Sequence, residues 1–145
     1  SQLDFIYGDM FLLSAKGEPV RFLAAEKLTY YSITKGMIAC HQAMFIRRSQ
    51  CPMYRSDLRY QGDLNWVMDI LEKVPQRRIH YVSTDLVYFK SGGFSDQTIY
   101  NQFKEHLFLI KERYGIWMIF WRVPRLIRRY GGKWLRRLFG VETFR

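Results

Sequence analysis

The sequence predicts an α/β layer structure, a small mixed sheet with flanking helices and a helical, basic C-terminal tail, on three observations. Apolar residues spaced for strands and for helices follow one another in the order β, α, β, loop, α, β, α, α. Apolar residues fill 48% of the 145 positions, enough for a packed core. Charge is segregated: residues 116–145 carry eight Arg and Lys against the single acid Glu142, a net +7 of the total +10, which marks them off from residues 1–115 as a tail. Four or five helices are more than three strands can cover, so the sheet needs further strands.

Leu3 to Leu13 is rich in β-branched, aromatic and aliphatic side chains and predicts a strand, ended by the turn-forming Ser14-Ala15-Lys16-Gly17-Glu18-Pro19. Ala24 to Thr34, with Leu28, Tyr31 and Ile33 ahead of Lys35-Gly36, predicts a short helix closed by glycine. Met37 to Arg47 reads as a second strand, whose alternation sets Cys40, Gln42 and Met44 on one face and His41, Ala43 and Phe45 on the other. Gln50 to Gly62 shows no steady period and predicts an ordered loop. Leu64, Val67, Met68 and Leu71 recur at helical spacing in Asp63 to Val74, with Asp63 suited to the N-cap or first turn and Pro75 as the stop. Ile79 to Phe89 predicts one strand kinked near Ser83-Thr84-Asp85, or two short ones. Ser91-Gly92-Gly93 breaks it, and Ser95-Asp96-Gln97-Thr98 opens a helix that ends at Gly115. From Ile116 two short amphipathic helices are expected, bent at Pro124 and broken at Gly131-Gly132.

Several function classes are disfavoured by composition. Cys40 and Cys51 are too few for a disulfide framework and form no CxxC pair, which points to free thiols in a reducing, cytoplasmic setting. No apolar run reaches the ~18 residues that a spanning helix needs. No RNA- or DNA-binding motif accompanies the basic residues, so no nucleic-acid partner is expected. The chain starts at Ser1 with no initiator Met, as a processed product or a fragment would.

Four local groups carry polar chemistry: Tyr7-Gly8-Asp9, Cys40-His41-Gln42, Tyr60-Gln61-Gly62-Asp63 and Ser91-Gly92-Gly93-Phe94-Ser95. Each also has a plain reading. Asp63 caps a helix equally well, His41 suits a hydrogen-bonded core position, Asp9 suits a turn, and Gly92-Gly93 makes an ordinary turn. Their order adds information. Ile6-Tyr7-Gly8-Asp9, His41-Gln42-Ala43-Met44-Phe45, Ser56-Asp57, Gly62-Asp63-Leu64-Asn65-Trp66 and Gly92-Gly93-Phe94-Ser95 follow one another as in the second half of bacterial polysaccharide enzymes. On these five segments, over about residues 4 to 115, the chain resembles the family-2 glycosyltransferases.

The resemblance implies the C-terminal, acceptor-side portion of a GT-A fold and an inverting sugar transfer from a nucleotide sugar to a saccharide or lipid-linked acceptor. It implies Asp63 as the general base that takes the acceptor proton. His41 or Gln42, with Asp9, would line the substrate site, and Gly92, Gly93 and Ser95 would form a loop closing over acceptor or diphosphate. It also implies a nucleotide-binding half with a divalent metal, Mn or Mg, on an Asp-x-Asp motif. That motif occurs nowhere in this sequence, so no metal ligand is assigned and the isolated chain is expected to be a poor catalyst.

In the tail, Trp117, Trp121 and Trp134 alternate with Arg125, Arg128, Arg129, Arg136 and Arg137. Such a helix suits an anionic membrane surface, as a peripheral attachment at the inner face of the membrane. Packing of the tryptophans on the domain, with the arginines solvated, is the competing expectation.

Overall fold

The computed structural model describes residues 2–14, 16–90 and 99–139, and within these every side chain except those of residues 20–22, 89, 90 and 133–139. The chain is mixed α/β and divides into two compact units, Ser1–Ser56 with Gly62–Ser91, and Asp57–Gln61 with Gly92–Arg145. The helix that precedes Gly115 thus belongs with the basic tail, a grouping that does not follow the 1–115 and 116–145 split of charge.

The first unit is built on β1 (Phe5–Leu13), which takes β4 (Ile79–Lys90) in parallel along its whole length. On its other side β1 takes β3 (Met44–Ile46) at residues 5–7 and β2 (Pro19–Leu23) at residues 10–13, both antiparallel. The sheet is therefore small and mixed, as expected. The added strand β2 arises because Ser14 to Glu18 closes a hairpin: Ser14 N–H donates to Glu18 O at 2.9 Å, and Gly17 supplies a φ of 85°. At Gly8 β1 faces Val82, at Asp9 it faces Asp85, and at Met10 it faces Val87. Extra residues accumulate in β4 where a kink was expected, and one continuous strand results.

Two expectations for this unit need correction. The helix expected over Ala24 to Thr34 is reduced to a 3-10 turn, Ser32–Lys35, closed by Gly36 at φ 103°. The segment before it is held open by partners outside itself. Asp9 accepts from Ala25 N–H at 2.7 Å, Tyr7 Oη from Leu28 N–H at 2.9 Å, and Ile38 O from Glu26 N–H at 3.1 Å. Amide donors claimed from outside cannot build an i→i−4 ladder. The second strand is only Met44–Ile46, because His41–Ala43 forms a 3-10 turn in which Ala43 N–H donates to Cys40 O at 2.9 Å. Strand alternation therefore does not set His41 and Gln42 on opposite faces.

Helix α1 (Gly62–Lys73) buries Leu64, Val67, Met68, Ile70 and Leu71, a stripe one residue wider than the sequence pattern. Asp4 closes the base of the sheet. It is buried, with Arg47 Nε at 2.7 Å and Arg78 Nη2 at 2.9 Å from Oδ1, while Arg47 N–H and Arg78 O bond its backbone.

The second unit holds α2 (Ile99–Tyr114) and α3 (Ile116–Phe139). Gly115, at φ 80°, donates to Lys111 O at 3.1 Å and ends α2 as expected. The two short helices expected after it are one helix, which corrects the break at Gly131-Gly132 and the division at Pro124. Pro124 forfeits one backbone bond, at a cost of about 3 kcal/mol. The buried face offsets this: Leu126 and Tyr130 pack on Ile110, with Phe103, Leu107, Met118 and Ile119 around them. Within the same unit Glu105 of α2 accepts from the N–H groups of Arg59, Tyr60 and Gln61 at 3.1, 2.8 and 2.8 Å, fixing that short segment. Among the described residues no helix is long and apolar enough to cross a membrane.

Candidate functional site

Asp63 lies in the first turn of α1, which resolves the choice between cap and first turn. A carboxylate there meets the positive end of the helix dipole. Its side chain is about half exposed, at 47%. Tyr54 donates its hydroxyl proton to Oδ1 at 2.6 Å, and His41 Nε2 stands 3.6 Å from Oδ2. The first distance is a short, charge-assisted hydrogen bond; the second is within ion-pair range and longer than a hydrogen bond. Oδ2 thus keeps lone pairs facing a neighbouring imidazole and solvent.

The loop carrying Tyr54 is fastened to α1 one turn after Asp63. Trp66, at i+3 and hence on the same side of the helix, donates its indole N–H to Pro52 O at 3.1 Å. Its ring stacks on Tyr54, with centroids 5.9 Å apart and planes 21° apart. Burial first, and then the hydrogen bond to Asp63, hold the Tyr54 phenol well above its ordinary range, so it stays a proton donor to the carboxylate. Gly62 leaves room beside the Tyr54 ring, though a Cβ there would make only ordinary contact at 3.6 Å.

His41 reaches Asp63 from the 3-10 turn that precedes β3, partly exposed, and Gln42 is exposed next to it on the same turn. Asp9 has other partners. It is 1% exposed, its Oδ1 accepts from Ala25 N–H, and the Tyr81 hydroxyl stands 2.8 Å from both carboxylate oxygens. The Gly8-Asp9 pair accordingly organises the sheet and the segment leading from β2. Gly92, Gly93 and Ser95 lie outside the described residues, as do the side chains of Trp134, Arg136 and Arg137. Trp117, Trp121, Arg125 and Arg128 are exposed on α3, and Arg129 is partly buried.

Tyr54 is not among the residues that the sequence singles out, and Trp66 enters only as the last residue of the Gly62–Trp66 segment with no role assigned, although both contact the Asp63 neighbourhood. The signal present was an aromatic residue at i+3 from a helix-opening Asp and a second one in the preceding loop. Among the described residues no three His, Cys, Asp or Glu side chains are grouped so as to hold a metal ion.

Comparison of the chain with family models, curated proteins and solved structures finds no match. What can be said of the site therefore rests on its geometry. A half-exposed carboxylate, oriented by a phenol and flanked by an imidazole, is arranged to accept a proton from a polar ligand.

Proposed function

We propose that this chain is the acceptor-side part of an inverting glycosyltransferase of GT-A type, with Asp63 as the general base. The observation that carries the reading is the orientation of the Asp63 carboxylate at the start of α1, with Tyr54 bonded to one oxygen and the other left accessible beside His41. The order of the Gly-Asp, His-Gln and Gly-Asp segments supports it.

In this reading Asp63 Oδ2 accepts the proton of an acceptor hydroxyl as that oxygen attacks the anomeric carbon of a nucleotide sugar. The new glycosidic bond forms, the bond to the diphosphate breaks with its electron pair, and the nucleoside diphosphate leaves. Tyr54 holds the carboxylate in place throughout, and His41 lies where it can hydrogen-bond a sugar hydroxyl. The donor is a nucleotide sugar, and the acceptor is a saccharide or a lipid-linked saccharide.

The test is sugar transfer by the polypeptide in which this chain is joined to a nucleotide-binding half. Asp63→Asn retains an oxygen for the Tyr54 hydroxyl but cannot take a proton. It should lower kcat by about 10²- to 10⁴-fold with an unchanged circular dichroism spectrum. Turnover close to the parent level would show that Asp63 only favours the helix terminus.

A further inference from the structure

The outer face of α3 is unusually apolar for a surface. Trp117, Phe120, Trp121 and Ile127 are 77, 67, 82 and 57% exposed. Phe120 and Trp121 follow Trp117 by three and four residues and Ile127 follows Phe120 by seven, so all four share one side of the helix, while Leu126 and Tyr130 occupy the packed side. Trp117 and Phe120 touch, with ring centroids 5.8 Å apart, and form a contiguous aromatic pair on this side. Pro124 is exposed between Trp121 and Ile127, so its ring too is kept out of the packed side.

The charge on the same helix is one-sided. Residues 116–139 contain Arg122, Arg125, Arg128, Arg129, Lys133, Arg136 and Arg137 and no acid. Arg125 and Arg128 are exposed beside the aromatic patch.

We propose that this face of α3 docks in the plane of an anionic phospholipid bilayer. Charge complementarity selects that occupant: a helix with seven cations and no acid matches a continuous layer of phosphates, whereas a second copy would bring the same cations against themselves. Indole rings lie at the boundary between headgroups and acyl chains, apolar body inward and N–H toward water. Guanidinium groups at the same level pair with phosphate oxygens in a bidentate manner. Trp117 and Trp121 are one helical turn apart, so both rings enter at a similar depth when the helix lies flat. The inference stands on α3 alone and does not depend on the transferase reading.

The experiment is co-sedimentation of the 145-residue chain with vesicles of phosphatidylcholine alone and with one-third phosphatidylglycerol. Binding to the anionic vesicles, at least tenfold stronger than to the neutral ones and weakened by salt, is expected. Replacing Trp117 and Trp121 together by Ser should reduce it by about tenfold or more, since each ring withdraws a large apolar area from water. Arg125→Gln with Arg128→Gln should reduce binding to the anionic vesicles by about 30-fold, at roughly one kcal/mol per surface cation. All four side chains point away from the Leu126 and Tyr130 cluster, so an unchanged circular dichroism spectrum is the fold control. Absence of binding to anionic vesicles, or wild-type binding by both variants, overturns the proposal. So does a concentration-dependent dimer that the tryptophan variant abolishes while vesicles are not bound, which would assign the face to a second copy.

Discussion

At the scale of single residues, the polar groups that look alike in the sequence separate by what claims their oxygens. Asp9 and Asp63 each follow a glycine, yet Asp9 is buried against Ala25 and Tyr81 while Asp63 is half exposed. The partners of Asp9 come from 16 and 72 residues away, a distance over which a local motif carries no information. Asp63 was legible because a helix-opening acid is a local pattern; Tyr54, which orients it, was not. Tyr54→Phe keeps the ring on Trp66 and removes only the donated hydrogen bond. If Asp63 is the base of the proposed transferase, the substitution should lower kcat about tenfold, with KM for the acceptor little changed, as loss of one bond to a charged group implies. An unchanged kcat would mean that the bond does not position the Asp63 carboxylate for the proposed role.

At the scale of elements, local pattern succeeded where each segment's own backbone satisfied itself. Helix α1 and the end of α2 at Gly115 follow from periodicity and glycine, and the register irregularity of β4 against β1 falls at the Ser83-Thr84-Asp85 turn signal. It failed where partners lie elsewhere: Asp9 and Tyr7 take the amides of Ala25 and Leu28, respectively, and prevent a helix, and the packing on Ile110 carries α3 through Pro124. Gly8 is a tight point of the sheet. A Cβ there would lie 2.6 Å from Leu86 Cδ1 and 2.9 Å from Val82 O, and the second contact is backbone that cannot swing aside. Gly8→Ala should destabilise the first unit by about 1–3 kcal/mol. Urea unfolding followed by the fluorescence of Trp66, with Trp117, Trp121 and Trp134 replaced by Phe in both proteins, would measure it, and equal midpoints would show that the strands separate freely at the bulge.

At the scale of the whole molecule, the chain is two units with different chemistry, a mixed sheet carrying the Asp63 site and a helical pair carrying the excess positive charge. Tyr130 ties the helical unit together: its hydroxyl accepts from Gln61 Nε2 at 3.0 Å and lies 3.0 Å from His106 Nδ1. Burial raises its pKa, partly offset by Arg129 and the Gln61 bond. Because the folded value lies above the unfolded value of about 10, the associated stability is complete below pH ~10 and is lost as pH rises from there through the folded pKa. Alkaline unfolding followed by circular dichroism should therefore have a shallower pH dependence above pH ~10 in Tyr130→Phe than in the wild type. Identical slopes would place the alkaline loss on other groups. The sequence by itself determined the mixed α/β class, the basic character of the last helix and the carboxylate at the start of α1, because periodicity, net charge and helix-start chemistry are local or additive. Only the tertiary structure decided that Asp9 is buried, that residues 24–31 stay open, that α3 is continuous and that Tyr54 and His41 meet Asp63. Each of those outcomes depends on donors, acceptors or apolar surface brought from distant positions, and such partners exist only once the chain has folded.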